Sequence, residues 1–510
     1  MPKIKPKAPQ AKANHELLFA VELVRQGRLD DAESYLLNIL KAQRRNWHVL
    51  HLLAEIHLAR SDYVKALEFM AAAMKANPGS TETQCNYGYI LQKLKRHDDA
   101  LIYFKRALIE APNNVSTLLN CGTSEYQLNR LTEALANFDR VLALEPKNVN
   151  ALYNRANVLC ELRRFDESFD AFAATLAQDP VHAGAHWNEG LARLLLGDFE
   201  AGWEKYEWRW MAEGQKHQRR DFAQPLWLGN EPLAGKTILV HAEQGYGDTL
   251  QFVRYLPRLA EQGAKVVLEV QPNLYSLLTG VKGASLVIPK GAPLPPFDVH
   301  CPVMSLPLAF KTSLDSIPQD ILYLEAPHER LQVWQERLPS KRGLPPKRGL
   351  RVALAWAGSA THKRDQARSI PLAKLQTLFQ SNNAQNNNAQ NNDAIEWLSV
   401  QRDLREGDAE ILRRHSRVQQ LGSALNDFGD TASVLSLADL VITVDTAVAH
   451  LAGALGRPVW VLLPYSPDFR WLLDREDSPW YPSARLFRQP AVGDWDSVIA
   501  RVQQSIVEFS

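Results

Sequence analysis

The sequence predicts an α + α/β chain, with a helical repeat array first and two α/β lobes after it. Three observations carry this. Pro78, Pro112, Pro146 and Pro180 stand 34 residues apart. KTILVHAEQGYGDTLQFVRYLPRLAEQGAKVVLEV, from Lys236, reads as strand, Gly-rich turn, helix and strand, a βαβ unit of ordinary length. LVITVDTAVAHLAGALGRPVWVLLP, from Leu440 to Pro464, repeats that order: a β-branched apolar strand, a polar break at Asp445-Thr446, a helix, a Gly-Arg-Pro turn and a second apolar strand.

Length and composition set the limits. A chain of 510 residues suggests about three domains. With 58 basic and 57 acidic residues the net charge is +1, which speaks against nucleic acid or an anionic membrane as main partner. Cys85, Cys121, Cys160 and Cys301 are scattered, with no CxxC pair; they fit a reducing compartment and speak against a structural zinc site. The basic, Pro-rich start has no apolar core behind it, so it does not read as a signal peptide. No apolar run reaches the ~18–20 residues that a membrane helix needs. A cytoplasmic protein is the expectation.

The 34-residue step recurs at other positions. Ala54, Gly88, Gly122, Ala156 and Gly190 are small, where the two helices of a hairpin pack closely. Ala66, Ala100 and Ala134 follow twelve residues on, with Ser168 and Gly202 in register; Met70, Phe104, Phe138, Phe172 and Tyr206 supply a large core residue. This period and pattern resemble the tetratricopeptide repeat over residues 13–210. An irregular first unit near 13–46 and the aromatic last stretch WEKYEWRW read as caps. A further column, Asn86, Asn120, Asn154 and Asn188, is not explained by packing, because Asn is a poor helix former. Two readings fit it: side-chain ties between neighbouring helices, or a polar ladder that binds the backbone of an extended polypeptide. The ladder resembles that of the O-linked N-acetylglucosamine transferases, where it holds protein substrates. Solenoid grooves of this kind usually bind protein.

Residues 211–235 read as a linker, with an aromatic patch docked around Trp227. The first lobe spans 236–325. A short helix and a Pro/Lys/Arg/Gly-rich hinge fill 326–348, and the second lobe spans 349–510 with a closing C-terminal helix. Within it SNNAQNNNAQNND, at 381–393, reads as a low-complexity surface insertion.

Two Rossmann-like lobes with a hinge and a C-terminal helix are the plan of the GT-B glycosyltransferases. Three stretches make the resemblance specific to the heptosyltransferase-like family, glycosyltransferase family 9: GYGDTLQFVRYLP, AWAGSATHKRDQARSIPL and VDTAVAHLAGALGRPVWVL. With the repeats, the whole resembles bacterial repeat–glycosyltransferase fusions of the kind that includes flagellin glycosyltransferases. The resemblance implies a nucleotide-sugar donor and places the catalytic base at Asp248, for which capping the following helix is the rival role. Glu243 and His241 are nearby alternates. For the nucleotide it implies Gly245, Gly247, the basic loop with His362, Lys363, Arg364, Arg368 and Ser369, and the turn Asp445, Thr446, Ala447 with His450 behind it. Backbone N–H groups and cations there would stabilise the leaving phosphate. No DxD pair ends a strand, so a metal-independent reaction without cofactor is expected. Trp356 lines the sugar site or packs in the core. Asp468, Arg470, Ser478 and Trp480 either shape the donor pocket or return the chain toward the first lobe. The basic loop runs long for the family and the repeats add a groove. Both turn the expectation from a lipopolysaccharide acceptor to a polypeptide hydroxyl, with inversion at the sugar carbon; a transferase acting on a lipid-linked or surface glycan, and a non-enzymatic repeat scaffold, are the alternatives.

Overall fold

Short-range repetition builds the first half and parallel strand pairing the second. The computed structural model describes residues 8–213, 218–243, 245–338, 349–362, 364–379 and 395–509. The candidate Lys363, the insertion at 381–393 and most of the Pro-rich hinge lie outside the described residues. The chain divides into two compact units, Met1–Pro180 and Val181–Ser510. The repeat period runs on to about 210, so its last helix pair lies in the second unit.

The first unit is five helix pairs: α1 Ala8–Arg25 and α2 Leu29–Ala42, α3 Trp47–Ala59 and α4 Tyr63–Ala76, α5 Thr81–Lys93 and α6 His97–Glu110, α7 Val115–Gln127 and α8 Leu131–Leu144, α9 Val149–Glu161 and α10 Phe165–Gln178. The small-residue column does what its spacing implies. A Cβ on Gly88 would lie 2.7 Å from the Phe104 ring, and one on Gly122 2.8 Å from Phe138. Two further columns keep the period. Side chains of Asn46, Ser80, Asn114 and Asn148 each cap a helix by accepting from the N–H three residues on. Gly27, Ser61, Lys95, Asn129, Arg163 and Gly197 all turn the chain at φ between 58° and 87°.

The second unit opens with α11 Ala183–Leu195, α12 Phe199–Tyr206 and a 3-10 turn Glu207–Trp210. Its first lobe comprises β1 Thr237–His241, α13 Tyr246–Phe252, α14 Leu256–Glu261, β2 Lys265–Val270, α15 Pro272–Leu278, β3 Leu286–Pro289, β4 Val299–Pro302 and α16 Leu306–Ala309. The four strands are parallel, in the order β3-β2-β1-β4. Leu226 of the linker bridges to His300 of β4, and Trp227 is buried against Phe310.

After α17 His328–Arg337, the second lobe comprises β5 Leu350–Ala355, α18 Asp365–Arg368, α19 Leu372–Phe379, β6 Ile395–Ser399, α20 Asp408–Arg414, β7 Val418–Gln420, α21 Phe428–Leu437, β8 Leu440–Val444, α22 Ala447–Ala454, β9 Val459–Leu463, β10 Ala484–Arg488 and α23 Trp495–Phe509. Its six parallel strands run β10-β9-β8-β5-β6-β7. All residues of β5, β8 and β9 are buried, which explains their unbroken apolar runs. The closing helix α23 packs Trp495, Val498, Val502 and Ile506 into this lobe's own core. No helix among the described residues is long and apolar enough to cross a membrane.

Candidate functional site

Open parallel sheets put their ligand sites at the carboxyl ends of the strands, where the chain turns into a helix. Here the turn after β1 meets the turn after β8. Helix α13 packs its first turn on α22 so closely that a Cβ on Gly247 would lie 2.6 Å from His450 Cδ2 and 3.6 Å from Ala447 Cα. Gly247 thus lets the two lobes touch. Gly245 is the residue before α13, and its N–H donates to Asp248 Oδ2 at 3.2 Å.

The other oxygen of Asp248 faces the second lobe. Its Oδ1 accepts from Arg470 Nη2 at 2.7 Å. Arg470 also donates through Nη1 to Asp468 Oδ1 at 2.8 Å and through Nε to Gln251 Oε1 at 2.6 Å. One guanidinium therefore joins α13 to the segment after β9. Burial raises the Asp248 pKa, and the Arg470 charge opposes the rise. Burial also works against the Asp468 charge, but Arg470 wins and holds that carboxyl low.

Asp445 follows β8 and is 8% exposed. Burial, then the neighbouring Asp468, raise its pKa to about 6. Thr446 caps α22, its hydroxyl accepting from Val448 N at 3.2 Å. His450 is buried, hydrogen-bonded through Nδ1 to Tyr481 Oη at 3.0 Å and stacked on Trp471; burial lowers its pKa to about 3. It is a neutral core residue on the wall of the site.

The basic loop is tied down rather than loose. Arg368 Nη1 donates to the Asp445 carbonyl at 3.1 Å, Arg364 Nη2 reaches the Ser466 carbonyl, and Arg368 Nε is buried with no hydrogen-bond partner. Protein packed around His362, then the Arg368 charge, lower its pKa to about 4, although the ring keeps solvent contact. The Ser369 hydroxyl is occupied, donating to Asp365 Oδ1 at 2.7 Å and accepting from Gly358 N at 3.1 Å. The loop therefore brings His362, Arg364 and Arg368 to the ends of β8 and β9, and turns Ser369 inward.

Several neighbours had structural work instead. Glu243 is paired with buried Arg209 through Nε–Oε2 at 2.9 Å and Nη2–Oε1 at 3.0 Å. His241 is buried 3.4 Å from His300. Trp356 and Trp480 are 1% and 2% exposed, so neither lines an open pocket. The stretch WEKYEWRW, read as a cap, packs on both lobes: Trp203 lies on Phe252 and Phe469, and Arg209 is bonded to Glu243 beyond β1.

Gln251 and Gln401 escaped the sequence reading. Gln401 Oε1 accepts from Trp356 N and Ala357 N, both at 3.0 Å, and so shapes the start of the basic loop. Gln251 lies on the α13 face that meets Arg470, and its Nε2 is buried with no partner. No local pattern marks either one.

In the first unit Asn86, Asn120 and Asn154 are half-buried on α5, α7 and α9; Asn188 is half-buried on α11 of the second unit. Asn86 and Asn120 line one groove of about 570 Å³ with Glu82, Cys85, Tyr89 and Thr117.

Residues 408–490 match the model of glycosyltransferase family 9 (heptosyltransferase). Tetratricopeptide repeat models match 17–81, 81–114, 122–163 and 156–207. The chain carries tetratricopeptide repeats and a glycosyltransferase family 9 domain. That match takes in Asp445, Thr446, His450 and Arg470 of the glycosyltransferase domain, but not Asp248 or Arg368. Protein FlbA of Caulobacter vibrioides is 24% identical over 336 residues, which are 62% of this chain; the chain spans about half, 54%, of that relative's length. Two solved structures are similar. YrrB, a TPR protein with an unusual peptide-binding site, is 20% identical at a TM-score of 0.31, over 33% of this chain and 88% of its own. PilW, a type IV pilus biogenesis factor, is 23% identical at a TM-score of 0.36, over 39% and 92%.

Proposed function

We propose that this chain is an inverting GT-B glycosyltransferase that moves a sugar from a nucleotide-sugar to a hydroxyl of a polypeptide. One observation carries the reading. Asp248, at the carboxyl end of the first sheet, stands across from a cationic cluster at the carboxyl end of the second. Asp248 takes the proton of the acceptor hydroxyl. Arg368, Arg364, Lys363 and the N–H groups of the first turn of α22 receive the leaving phosphate. The orphaned Arg368 Nε is a donor that a phosphate oxygen would satisfy. Arg470 is shared between Asp248 and Asp468; a phosphate that competes for it frees Asp248 to act as base. These cations supply the charge that a divalent metal supplies elsewhere, so no metal or other cofactor is required for transfer.

The acceptor enters through the groove lined by Asn86 and Asn120, whose amides can donate to and accept from an extended backbone. A flagellin is the kind of acceptor to which the resemblance to repeat–glycosyltransferase fusions points. Four cysteines outside any disulfide suit a cytoplasmic site of action. The heptosyltransferase description of the family favours a second reading, a heptose donor with a glycan acceptor.

The test is a thermal-shift panel with ADP, UDP, GDP, CDP and CMP, then transfer from the matching donor. One nucleotide at ~100 times its dissociation constant should stabilise the wild type by ~2.7 kcal/mol. Asp248→Asn should keep that shift and lose transfer by at least about 100-fold. No shift with any nucleotide, or full transfer by Asp248→Asn, would overturn the proposal.

A further inference from the structure

We propose that the first unit binds one divalent metal ion of the zinc class, held by His51, Glu55 and Glu82. His51 and Glu55 are one helical turn apart on α3, the i, i+4 spacing that sets two ligands on one helix face. Glu82 comes from the first turn of α5. His51 Nε2 lies 3.3 Å from Glu55 Oε1 and 3.8 Å from Glu82 Oε1, and all three ligand atoms lie within 4.8 Å of one another. Tetrahedral zinc with bonds of ~2.0–2.2 Å places its ligands about 3.4 Å apart. The observed spacing brackets that figure.

The tautomer of His51 adds a second argument. Its Nδ1 lies 3.4 Å from Thr83 Oγ1, and the Thr83 hydroxyl proton is committed to Ser80 Oγ at 3.0 Å. Thr83 therefore accepts, Nδ1 carries the hydrogen, and Nε2 is the ring nitrogen that faces the two carboxylates. A cation between them would join Nε2 to both carboxylates. A proton on Nε2 is the alternative, and the experiment separates the two. A ring N–H held by a second group is also how metal-bound histidines are commonly oriented. The Asn86 amide nitrogen lies 2.9 Å from Nε2. Glu82 and Asn86 line the groove, so the ion would fix one wall of it. The scattered cysteines hid this site, because its ligands are His and Glu.

The experiment is isothermal titration of the chelator-treated full chain with Zn²⁺. A single site per chain is expected. Glu55→Gln, at a half-exposed carboxylate, and Glu82→Gln, at an exposed one, should each weaken binding by at least about tenfold, and Thr83→Val by about 10–100-fold. Cys85→Ser should leave it unchanged, which separates this site from adventitious thiol binding. His51→Ala should abolish it; if that buried substitution unfolds the repeats, the two Gln variants still decide. No binding by the wild type, or unaltered binding by both Gln variants, would overturn the proposal and leave His51 with its hydrogen-bonded neighbours alone.

Discussion

Replacing Arg209 by Met should destabilise the second unit by about 3–5 kcal/mol, the usual loss when one partner of a buried ion pair is removed. The structure puts this residue at the strong end of the range. Arg209 and Glu243 side chains are 1% and 3% exposed, so solvent screening does little. The guanidinium also donates to Glu207 Oε1 at 2.6 Å and to Ser305 Oγ at 2.8 Å, and lies over the rings of Tyr206 and Trp210. Without it, Glu243 keeps only the Met304 N–H at 3.0 Å. A domain stable by ~5–15 kcal/mol would lose a third or more. The assay is urea denaturation followed by tryptophan fluorescence. Of the 13 tryptophans all but Trp47 lie beyond residue 180, so the signal reports the second unit. The double variant Arg209→Met with Glu243→Leu removes the stranded charge and should recover most of the loss. A single variant that loses less than about 1 kcal/mol, or a double variant no better than the single, would refute this account of the pair.

Three more outcomes follow from the same geometry. Gly247→Ala should cost about 1–3 kcal/mol in that assay, because its Cβ meets His450 and the ring cannot retreat from Trp471 and Tyr481; a neutral result would mean that the lobes are not in contact there. Asp445, raised from 3.8 to about 6, binds its proton more tightly folded than unfolded, so its contribution is present below pH ~4 and lost as pH rises through ~6. Asp445→Asn should therefore flatten the stability profile between those values and stabilise the protein at pH 7.5 by up to ~3 kcal/mol; an unchanged profile sinks the argument. Lys95→Gly should stabilise the repeats by ~0.5–1 kcal/mol in a thermal melt followed by circular dichroism, since φ is 61° where Gly27 and Gly197 fill the same column; a lower melting temperature would contradict it.

What could be read from sequence was whatever local chemistry repeats or punctuates. The small-residue column was legible because only a small side chain fits against Phe104 and Phe138. The capping column was less so, because Ser80 and His182 stand in register with Asn46, Asn114 and Asn148 and do the same job with other side chains. The left-handed column hid for the opposite reason: Lys95 and Arg163 are residues that its conformation disfavours. At the site, Asp248, Asp445 and the basic loop sit at strand ends, and a strand end is a local signal. Arg209 and Arg470 act across the fold, at 34 and 222 residues from their carboxylate partners, and no window of sequence contains both ends of either pair.

Arg470 decides how the charges of the site balance. Asp248, Asp445 and Asp468 converge there, and burial pushes up the pKa of Asp248 and Asp445. Arg470 touches Asp248 and Asp468 directly; Arg368 reaches only the carbonyl of Asp445. Without Arg470 the carboxylates would repel one another and their pKa values would rise, toward the protonated form in which Asp248 cannot act as base. With it, the Arg470 charge opposes the rise that burial imposes on Asp248. The same guanidinium is stacked on Phe469, which packs on Trp203 of α12. The charge state of the turn after β1 therefore depends on a side chain whose seat is built in part by the last helix of the repeat pattern, and that is a physical reason for the compact second unit to begin at Val181 rather than after Trp210.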